Sequence, residues 1–260
     1  MQSSRLARRC ALVTGAGRGL GFAVARGLAA HGARVLAVAR GAHELAELAQ
    51  VIRADGGDVE TIQADLAVAA EIEALARDAL ARHGRIDTLV NNAAVLRTKP
   101  FSDLTPAEFE HTLAVNLLAP VRLTRALLPV MLERGRGAIV NVTSAAGNEP
   151  FQDEVDYCAS KYGLEGFTLA LALELAGTGV GVNLLAPGMA IKPTSLSAAD
   201  FAAWPTDRRA AYRDPADMAD AFVWLAGAPD VTGQRFSGFE LAANVLQHGW
   251  DWRPDALERS

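Results

Sequence analysis

The amino-acid sequence predicts an α/β fold: a doubly wound, Rossmann-type parallel sheet of about seven strands with helices on both faces. Two observations predict it. Short apolar runs alternate along the chain with longer stretches rich in alanine and leucine. The apolar positions of the longer stretches recur every three or four residues, as in a helix. This alternation is typical of parallel sheets that helices cover on both sides.

Each expected strand is a short apolar run between two helical patterns. In chain order these runs lie at 10–13, 34–39, 59–63, 86–91, 138–142, 181–186 and 235–240. Helical patterns of about a dozen or more residues fill the intervals. The first helix is expected at about 22–30, and two long helices are expected at about 107–133 and 156–176.

The segment 189–215 interrupts this alternation, because it shows no clear strand pattern. Long excursions of this kind are usually functional or mobile. We therefore expect one domain over 1–260, with an inserted helical substrate lobe or lid at about 189–215 and a C-terminal tail at about 244–260. Trp250 and Trp252 lie in that tail, where we expect them to pack on their own lobe or on a neighbouring subunit.

Composition excludes several functions. The formal charge is -5, and apart from Arg5, Arg8 and Arg9 the arginines are scattered, so we expect no nucleic-acid partner. The first ten residues lack the apolar core of a signal peptide, and no apolar run approaches the roughly 18 residues that span a bilayer. We expect a soluble, cytoplasmic protein without a membrane partner.

Cysteine and histidine usage predicts neither disulfides nor a catalytic metal. The 2 cysteines, Cys10 and Cys158, are too few for a disulfide framework. The 5 histidines show no metal-ligand spacing such as HExxH.

Tyr157 and Lys161 are the candidate catalytic pair. They lie four residues apart in a helical pattern, so both side chains leave the same face of one helix. An ammonium group beside a phenol favours the phenolate. We therefore expect Lys161 to lower the pKa of Tyr157 toward the range of a general acid/base. A Tyr–Lys pair is also a common packing arrangement, so the assignment needs further motifs.

A glycine-rich turn directly follows the first strand and precedes a helix. Glycines let the backbone approach a pyrophosphate, whose charge then faces the positive end of that helix. The spacing differs from GxGxxG, but its position between strand and helix favours nucleotide binding over a plain turn. The expected contacts are Gly15, Gly17, Arg18, Gly19, Leu20 and Gly21.

The end of the second strand favours NADP(H) over NAD(H). Sites that prefer NAD usually carry an acidic residue there, but this chain has Ala39 and Arg40. Arg40 could bind a 2′-phosphate through two parallel hydrogen bonds, with Arg18 on the other side of the phosphate. The alternative is that both are solvated surface arginines.

Further motifs follow in a fixed order: Asn91-Asn92-Ala93-Ala94, Asn116, Ser144, Tyr157-x-x-x-Lys161 and Pro187-Gly188. Together with the glycine turn, this set resembles the short-chain dehydrogenases/reductases, in their compact single-domain branch. The resemblance runs from about residue 9 to about residue 242.

This resemblance implies a catalytic set of four residues. Tyr157 would exchange a proton with the substrate oxygen while hydride passes between the nicotinamide and the substrate carbon. Lys161 would lower the pKa of Tyr157 and bind the nicotinamide ribose. Ser144 would donate a hydrogen bond to the substrate carbonyl. Asn116 would hold a water that leads to Lys161.

The resemblance also implies the remaining cofactor contacts. Those at the adenosine end are Asp65 and Leu66 beside the adenine, and Asn92, Ala93 and Ala94 beneath the ribose. Those at the nicotinamide end are Pro187, Gly188 and Ile191. Many relatives carry a threonine four residues after that glycine, where this chain has Lys192, and Thr194 could replace it through a shifted loop.

The expected substrate is a free small carbonyl or secondary alcohol. Candidate pocket walls are mostly apolar and comprise Ala145, Ala146, Phe151, Met189, Phe201 and Trp204. Arg134 and Arg136 lack the neighbouring charges expected of a carrier-protein dock. Two alternatives stay open: a reductase of carrier-bound 3-oxoacyl groups, and a non-catalytic NADP(H)-binding sensor. The resemblance implies a homo-oligomer, either a dimer or a homotetramer, built on the two long helices.

Overall fold

A computed structural model describes residues 4–188, 190–191 and 201–254. Its main sheet has seven strands, all paired in parallel. They are β1 (Cys10–Thr14), β2 (Arg34–Ala39), β3 (Asp58–Gln63), β4 (Thr88–Asn91), β5 (Gly137–Val142), β6 (Val180–Ala186) and β9 (Arg235–Ser237). The order across the sheet is β3-β2-β1-β4-β5-β6-β9. This confirms the predicted doubly wound sheet.

Helices cover both faces of this sheet. The helices formed by the described residues are α1 (Gly19–Ala30), α2 (Ala42–Ala54), α3 (Ala69–His83), α4 (Pro106–Leu113), α5 (Ala119–Glu133), α6 (Val155–Glu174), α7 (Thr206–Ala210), α8 (Ala219–Gly227) and α9 (Gly238–His248). Side chains alternate between the faces along each strand. Val13 of β1 therefore packs in the core with Leu28 and Phe222, whereas its neighbour Leu12 packs with Leu123 on the opposite face.

The direction of winding reverses at β1, which pairs with β2 on one side and β4 on the other. Loops that follow these strands separate at their carboxyl ends and leave a crevice, which is where such sheets bind ligands.

The long helix expected at about 107–133 is interrupted. Between α4 and α5, residues Ala114–Leu118 form one π-helical turn. Such turns often occur at functional sites, and this one contains Asn116. The helical stretch Pro106–Glu133 is long and apolar enough to cross a membrane by length and composition. Buried core helices pass the same test, and Leu127 and Met131 are buried against the sheet.

Two expected elements are corrected. The last strand ends at Ser237 instead of residue 240, because Gly238 begins α9, whose Leu241 and Val245 are buried at helical spacing. The segment 189–215 also contains strands, since β7 (Ala190–Ile191) pairs with β8 (Tyr212–Arg213). Two-residue strands are too short to produce a recognisable sequence period.

The C-terminal tryptophans pack on their own chain. The Trp250 and His31 ring centroids lie 5.1 Å apart, and the Arg5 guanidinium lies 4.8 Å from the Trp250 centroid. The ring centroids of Trp252 and Trp224 lie 5.8 Å apart, and the indole nitrogen of Trp224 donates a hydrogen bond to the Trp252 backbone carbonyl.

Candidate active site

A cleft of about 730 Å³ opens at the carboxyl ends of the central strands. It brings together most of the residues that the sequence singled out: Gly15, Gly17, Arg18, Leu20, Gly21, Arg40, Asp65, Leu66, Asn92, Ala93, Ala94, Ser144, Tyr157, Lys161, Pro187 and Ile191. Gly19, Asn116 and Gly188 do not line it directly. Met189, Lys192 and Thr194 lie outside the described residues.

The glycine turn is packed too closely for side chains. A Cβ added at Gly15 would lie 2.8 Å from Ala93 Cα, and one added at Gly21 would lie 2.1 Å from the Gly15 carbonyl oxygen. Gly15 also has a positive φ of 64°. The side-chain amide of Asn92 fixes the turn, because its Nδ2 donates a hydrogen bond to the Thr14 backbone carbonyl at 2.9 Å. Backbone therefore forms this wall of the cleft, beside the positive end of α1.

Two exposed arginines and one carboxylate lie at the adenosine end. Arg18 and Arg40 line the cleft, and neither guanidinium has an ion pair or hydrogen bond with another described residue. Glu44 also lines the cleft, and its side chain covers Gly17 and Gly41. The sequence analysis missed Glu44, although an acidic residue in the first turn of the helix after the second strand was a usable signal.

Asp65 lines the cleft but is engaged locally. One of its carboxylate oxygens accepts from the Ala67 amide at 2.9 Å, and its own amide donates to Glu71 at 2.7 Å. These two hydrogen bonds fix the turn that follows β3, and this turn forms the cleft wall beside Leu66.

Tyr157 and Lys161 both face the cleft from α6. Lys161 is only 2% exposed, and its Nζ donates to the Val142 carbonyl at 2.8 Å. Burial lowers the pKa of Lys161 to about 8, although the nearby Glu165 carboxylate opposes this. Lys161 Nζ lies 5.6 Å from the Tyr157 ring centroid.

The expected effect of Lys161 on the Tyr157 pKa is wrong for this structure. Burial raises the pKa of Tyr157, and a hydrogen bond with Ser144 opposes the rise. Lys161 is not among the causes of this shift, and its own pKa of about 8 makes it neutral at the pH where the phenol would ionise. A raised pKa keeps the phenol protonated, which is the form of a general acid.

Ser144 follows β5 and begins a short 3-10 turn, Ala145–Gly147. Its hydroxyl accepts weakly from the Ala146 amide at 3.3 Å, so its proton remains available to another acceptor. Ser144 and Tyr157 line the same cleft, and their side chains form a hydrogen bond with each other.

Asn116 is buried behind the cleft. Its amide nitrogen donates to the Val95 carbonyl at 2.9 Å and to Ser160 Oγ at 3.1 Å, and its carbonyl accepts from the Val95 amide. Both amide protons are therefore used, and only an acceptor position is left for a water. Its role in a path to Lys161 stays a prediction.

Asp156 is a further site residue that the sequence analysis missed. It is 1% exposed, and its carboxylate accepts from the Tyr157 amide at 2.9 Å and from the Thr112 hydroxyl at 2.6 Å. It thereby fixes the helical turn that carries Tyr157. Its place directly before that tyrosine was the only sequence signal.

The sheet order, the glycine turn and the Tyr157–Lys161 pair in one cleft define a Rossmann-type oxidoreductase. The family model described as short chain dehydrogenase matches residues 9–202. The chain belongs to this family of oxidoreductases, which confirms the resemblance seen in the motifs.

Individual relatives are similar over most of their length. D-threitol dehydrogenase of Mycolicibacterium smegmatis is 38% identical over 229 residues, which cover 85% of this chain and 87% of that protein. The 3-oxoacyl-[acyl-carrier-protein] reductase of Synechocystis sp. is 34% identical over 237 residues, covering 89% and 96% respectively. A solved metagenomic short-chain oxidoreductase in complex with NADP is 39% identical, with a TM-score of 0.78, covering 89% of this chain and 96% of that one.

No group of three or more His, Cys, Asp or Glu side chains that could hold a metal occurs within the described ranges.

Proposed function

We propose that this chain transfers a hydride between NADP(H) and a small carbonyl or secondary alcohol, with Tyr157 as the general acid/base. One observation carries the proposal: Ser144, Tyr157 and Lys161 line the same cleft as the glycine turn. A chain that had lost catalysis would not need to keep these three side chains together.

The roles follow from the chemistry of each group. When bound, NADP(H) supplies or accepts the hydride. In carbonyl reduction Tyr157 donates its proton to the oxygen that gains charge, while the Ser144 hydroxyl donates a hydrogen bond to the same oxygen. Lys161 presents a buried cation beside this oxygen and favours the negative charge that develops there.

The cleft fits a dinucleotide and favours the one with a 2′-phosphate. The close approach of Gly15 and Gly21 to neighbouring backbone leaves amide groups for a pyrophosphate. Arg18 and Arg40 would hold the 2′-phosphate, because no described residue neutralises either guanidinium. Similarity to a solved relative with bound NADP supports this choice.

Free substrates fit the charge distribution better than carrier-bound ones. Arg134 and Arg136 precede β5, so they lie at the amino ends of the strands, away from the cleft mouth. Arg134 also lies 3.9 Å from the buried Asp87 carboxylate. Similarity to a D-threitol dehydrogenase supports a free alcohol, whereas similarity to a 3-oxoacyl carrier-protein reductase keeps the carrier-bound alternative open.

NADPH oxidation with a substrate panel tests the proposal. The panel comprises small ketones, aldehydes, polyols in the reverse direction, and a 3-oxoacyl group supplied both as a short thioester and on a carrier protein. We expect turnover with a free substrate and with NADPH in preference to NADH. Turnover that requires the carrier would favour the alternative substrate, and NADPH binding without any turnover would favour a sensor.

We also propose that the chain is a cytoplasmic homo-oligomer, most simply a homotetramer. Tyr162, Leu169 and Leu173 of α6 are 46%, 43% and 81% exposed and lie at spacings that place them on one helix face. An apolar stripe of this kind suits burial against another copy. The molar mass measured by light scattering at micromolar protein concentration should exceed the chain mass of 27.4 kDa. A measured mass equal to that of one chain would contradict the proposal.

A further inference from the structure

We propose that Arg235 is a positioning residue, which joins Glu165 of α6 to the Ser144–Asn148 loop and thereby holds the Ser144 hydroxyl in place for the reaction. This inference rests on the proposed function. Neither Arg235 nor Glu165 lines the cleft.

Arg235 has three partners on two different elements. Its Nε donates to Glu165 Oε1 at 3.0 Å, while its Nη2 donates to the Ser144 carbonyl at 3.1 Å and to Asn148 Oδ1 at 3.2 Å. A planar guanidinium makes such a set of bonds with a fixed geometry, which a lysine cannot reproduce. The first residue of β9 therefore fixes both ends of the loop that begins with Ser144.

Glu165 completes this connection from beneath the loop. Its Oε1 accepts from the Thr143 hydroxyl at 2.8 Å, and a Cβ added at Gly147 would lie 2.3 Å from the same oxygen. The carboxylate thus contacts the residue before Ser144 and the backbone that closes the turn after it.

Glu165 also lies one helical turn after Lys161, whose charged form it favours. The groups that face the Lys161 ammonium are the Tyr157 and Glu165 side chains of α6 and the uncharged Val142 carbonyl of β5. Arg235 faces Glu165 from β9. The pair therefore connects two catalytic candidates that lie on different elements.

A merely structural ion pair would stabilise the fold without affecting the chemical step. Arg34 provides the matched control, since it also lies on a strand and its Nε contacts Asp58 at 2.7 Å, far from the cleft. The test compares Arg235→Gln, Arg235→Lys and Glu165→Gln with Arg34→Gln and with the unaltered chain, using NADPH and the best substrate of the panel.

We expect Arg235→Gln to lower kcat by roughly 10- to 100-fold, because displacing a catalytic group by about 1 Å has effects of that size. The KM for NADPH should change by less than about threefold, since the cofactor wall is untouched. Arg235→Lys should recover part of kcat. Glu165→Gln should move the alkaline limb of the pH–rate profile to lower pH, because Lys161 loses a neighbouring negative charge. Arg34→Gln should change none of these.

Hydrogen exchange separates this inference from the proposed function, because it needs no turnover. The amides of Gly147, Asn148 and Glu149 donate to the carbonyls of Ser144 and Ala145 within the loop. We expect Arg235→Gln to accelerate their exchange at least about tenfold, and Arg34→Gln to leave it unchanged. Unchanged exchange in Arg235→Gln, or unchanged kcat in an enzyme shown to be active, would overturn the positioning role. An inactive but correctly folded wild-type chain would refute only the proposed function.

Discussion

We compare the free energy of unfolding of a Lys161→Met variant with that of the wild type. The difference should favour the variant more at neutral pH than at alkaline pH. Burial lowers the pKa of Lys161 from 10.5 to about 8. Each pKa unit corresponds to about 1.4 kcal/mol, so holding this lysine charged in the fold costs about 3 kcal/mol.

The sign follows from proton linkage. Below about pH 8 the lysine is charged in the folded and unfolded states, so the full burial cost is present. Between about pH 8 and 10.5 the unfolded chain binds more protons than the folded one, so stability rises with pH. Lys161→Met has no such charge. Its free energy of unfolding minus that of the wild type should fall by about 2 kcal/mol between about pH 7 and pH 9.5.

Urea unfolding followed by tryptophan fluorescence measures this difference at the two pH values. The lost hydrogen bond to Val142 and any change in packing are the same at both, so they cancel in the comparison. Leu164→Met is the control, because it changes a buried neighbour on α6 without adding or removing a charge. If the Lys161→Met difference were as independent of pH as that control, Lys161 would keep its ordinary pKa in the folded protein, and the lowering of that pKa by burial would be refuted.

Three further outcomes follow from the site. Tyr157→Phe should keep NADPH binding, measured by fluorescence titration, and lose about 100- to 10,000-fold in kcat, since the ring still packs but the transferable proton is gone; comparable activity would exclude Tyr157 as the acid. Arg40→Asp should reduce kcat/KM with NADPH at least about tenfold more than with NADH, because a carboxylate repels the 2′-phosphate; an equal loss would make Arg40 a surface charge. Asp156→Ala should lower kcat and the unfolding temperature together, since it removes the acceptor of the Tyr157 amide and leaves the Thr112 hydroxyl only its longer bond to the Glu108 carbonyl; Asp156→Asn, which keeps acceptor capacity, should recover most of the unfolding temperature.

The sequence predicts those features of this protein that depend on local pattern. Seven strands were expected close to their observed positions, because buried parallel strands are continuous apolar runs. The glycine turn was recognisable because positions such as Gly15 and Gly21 tolerate no side chain. The π turn around Asn116 and the two-residue strands β7 and β8 were not expected, since neither has a period of its own.

Unlike Glu44, Arg235 and Asp156 were missed because their side chains contact residues that are distant in the sequence. Arg235 reaches Glu165 across 70 positions of sequence, and Asp156 meets Thr112 across 44. Nothing within a window of one helix or strand distinguishes these side chains from ordinary surface charges. Their identification required the fold to place β9 next to β6 and α4 against α6.

The Tyr157 pKa shows the same limit within a single helix turn. Four-residue spacing correctly places Tyr157 and Lys161 on one face, but it specifies neither how deeply each is buried nor where the ammonium group points. Both are decided by packing against β5, whose Val142 carbonyl takes the ammonium hydrogen bond. Burial then raises the pKa of the phenol and lowers that of the amine, so each group is shifted toward its neutral form. A phenol that is held protonated beside a lysine that titrates at about pH 8 suits the role proposed for Tyr157, because a general acid in carbonyl reduction must keep its proton until charge develops on the substrate oxygen.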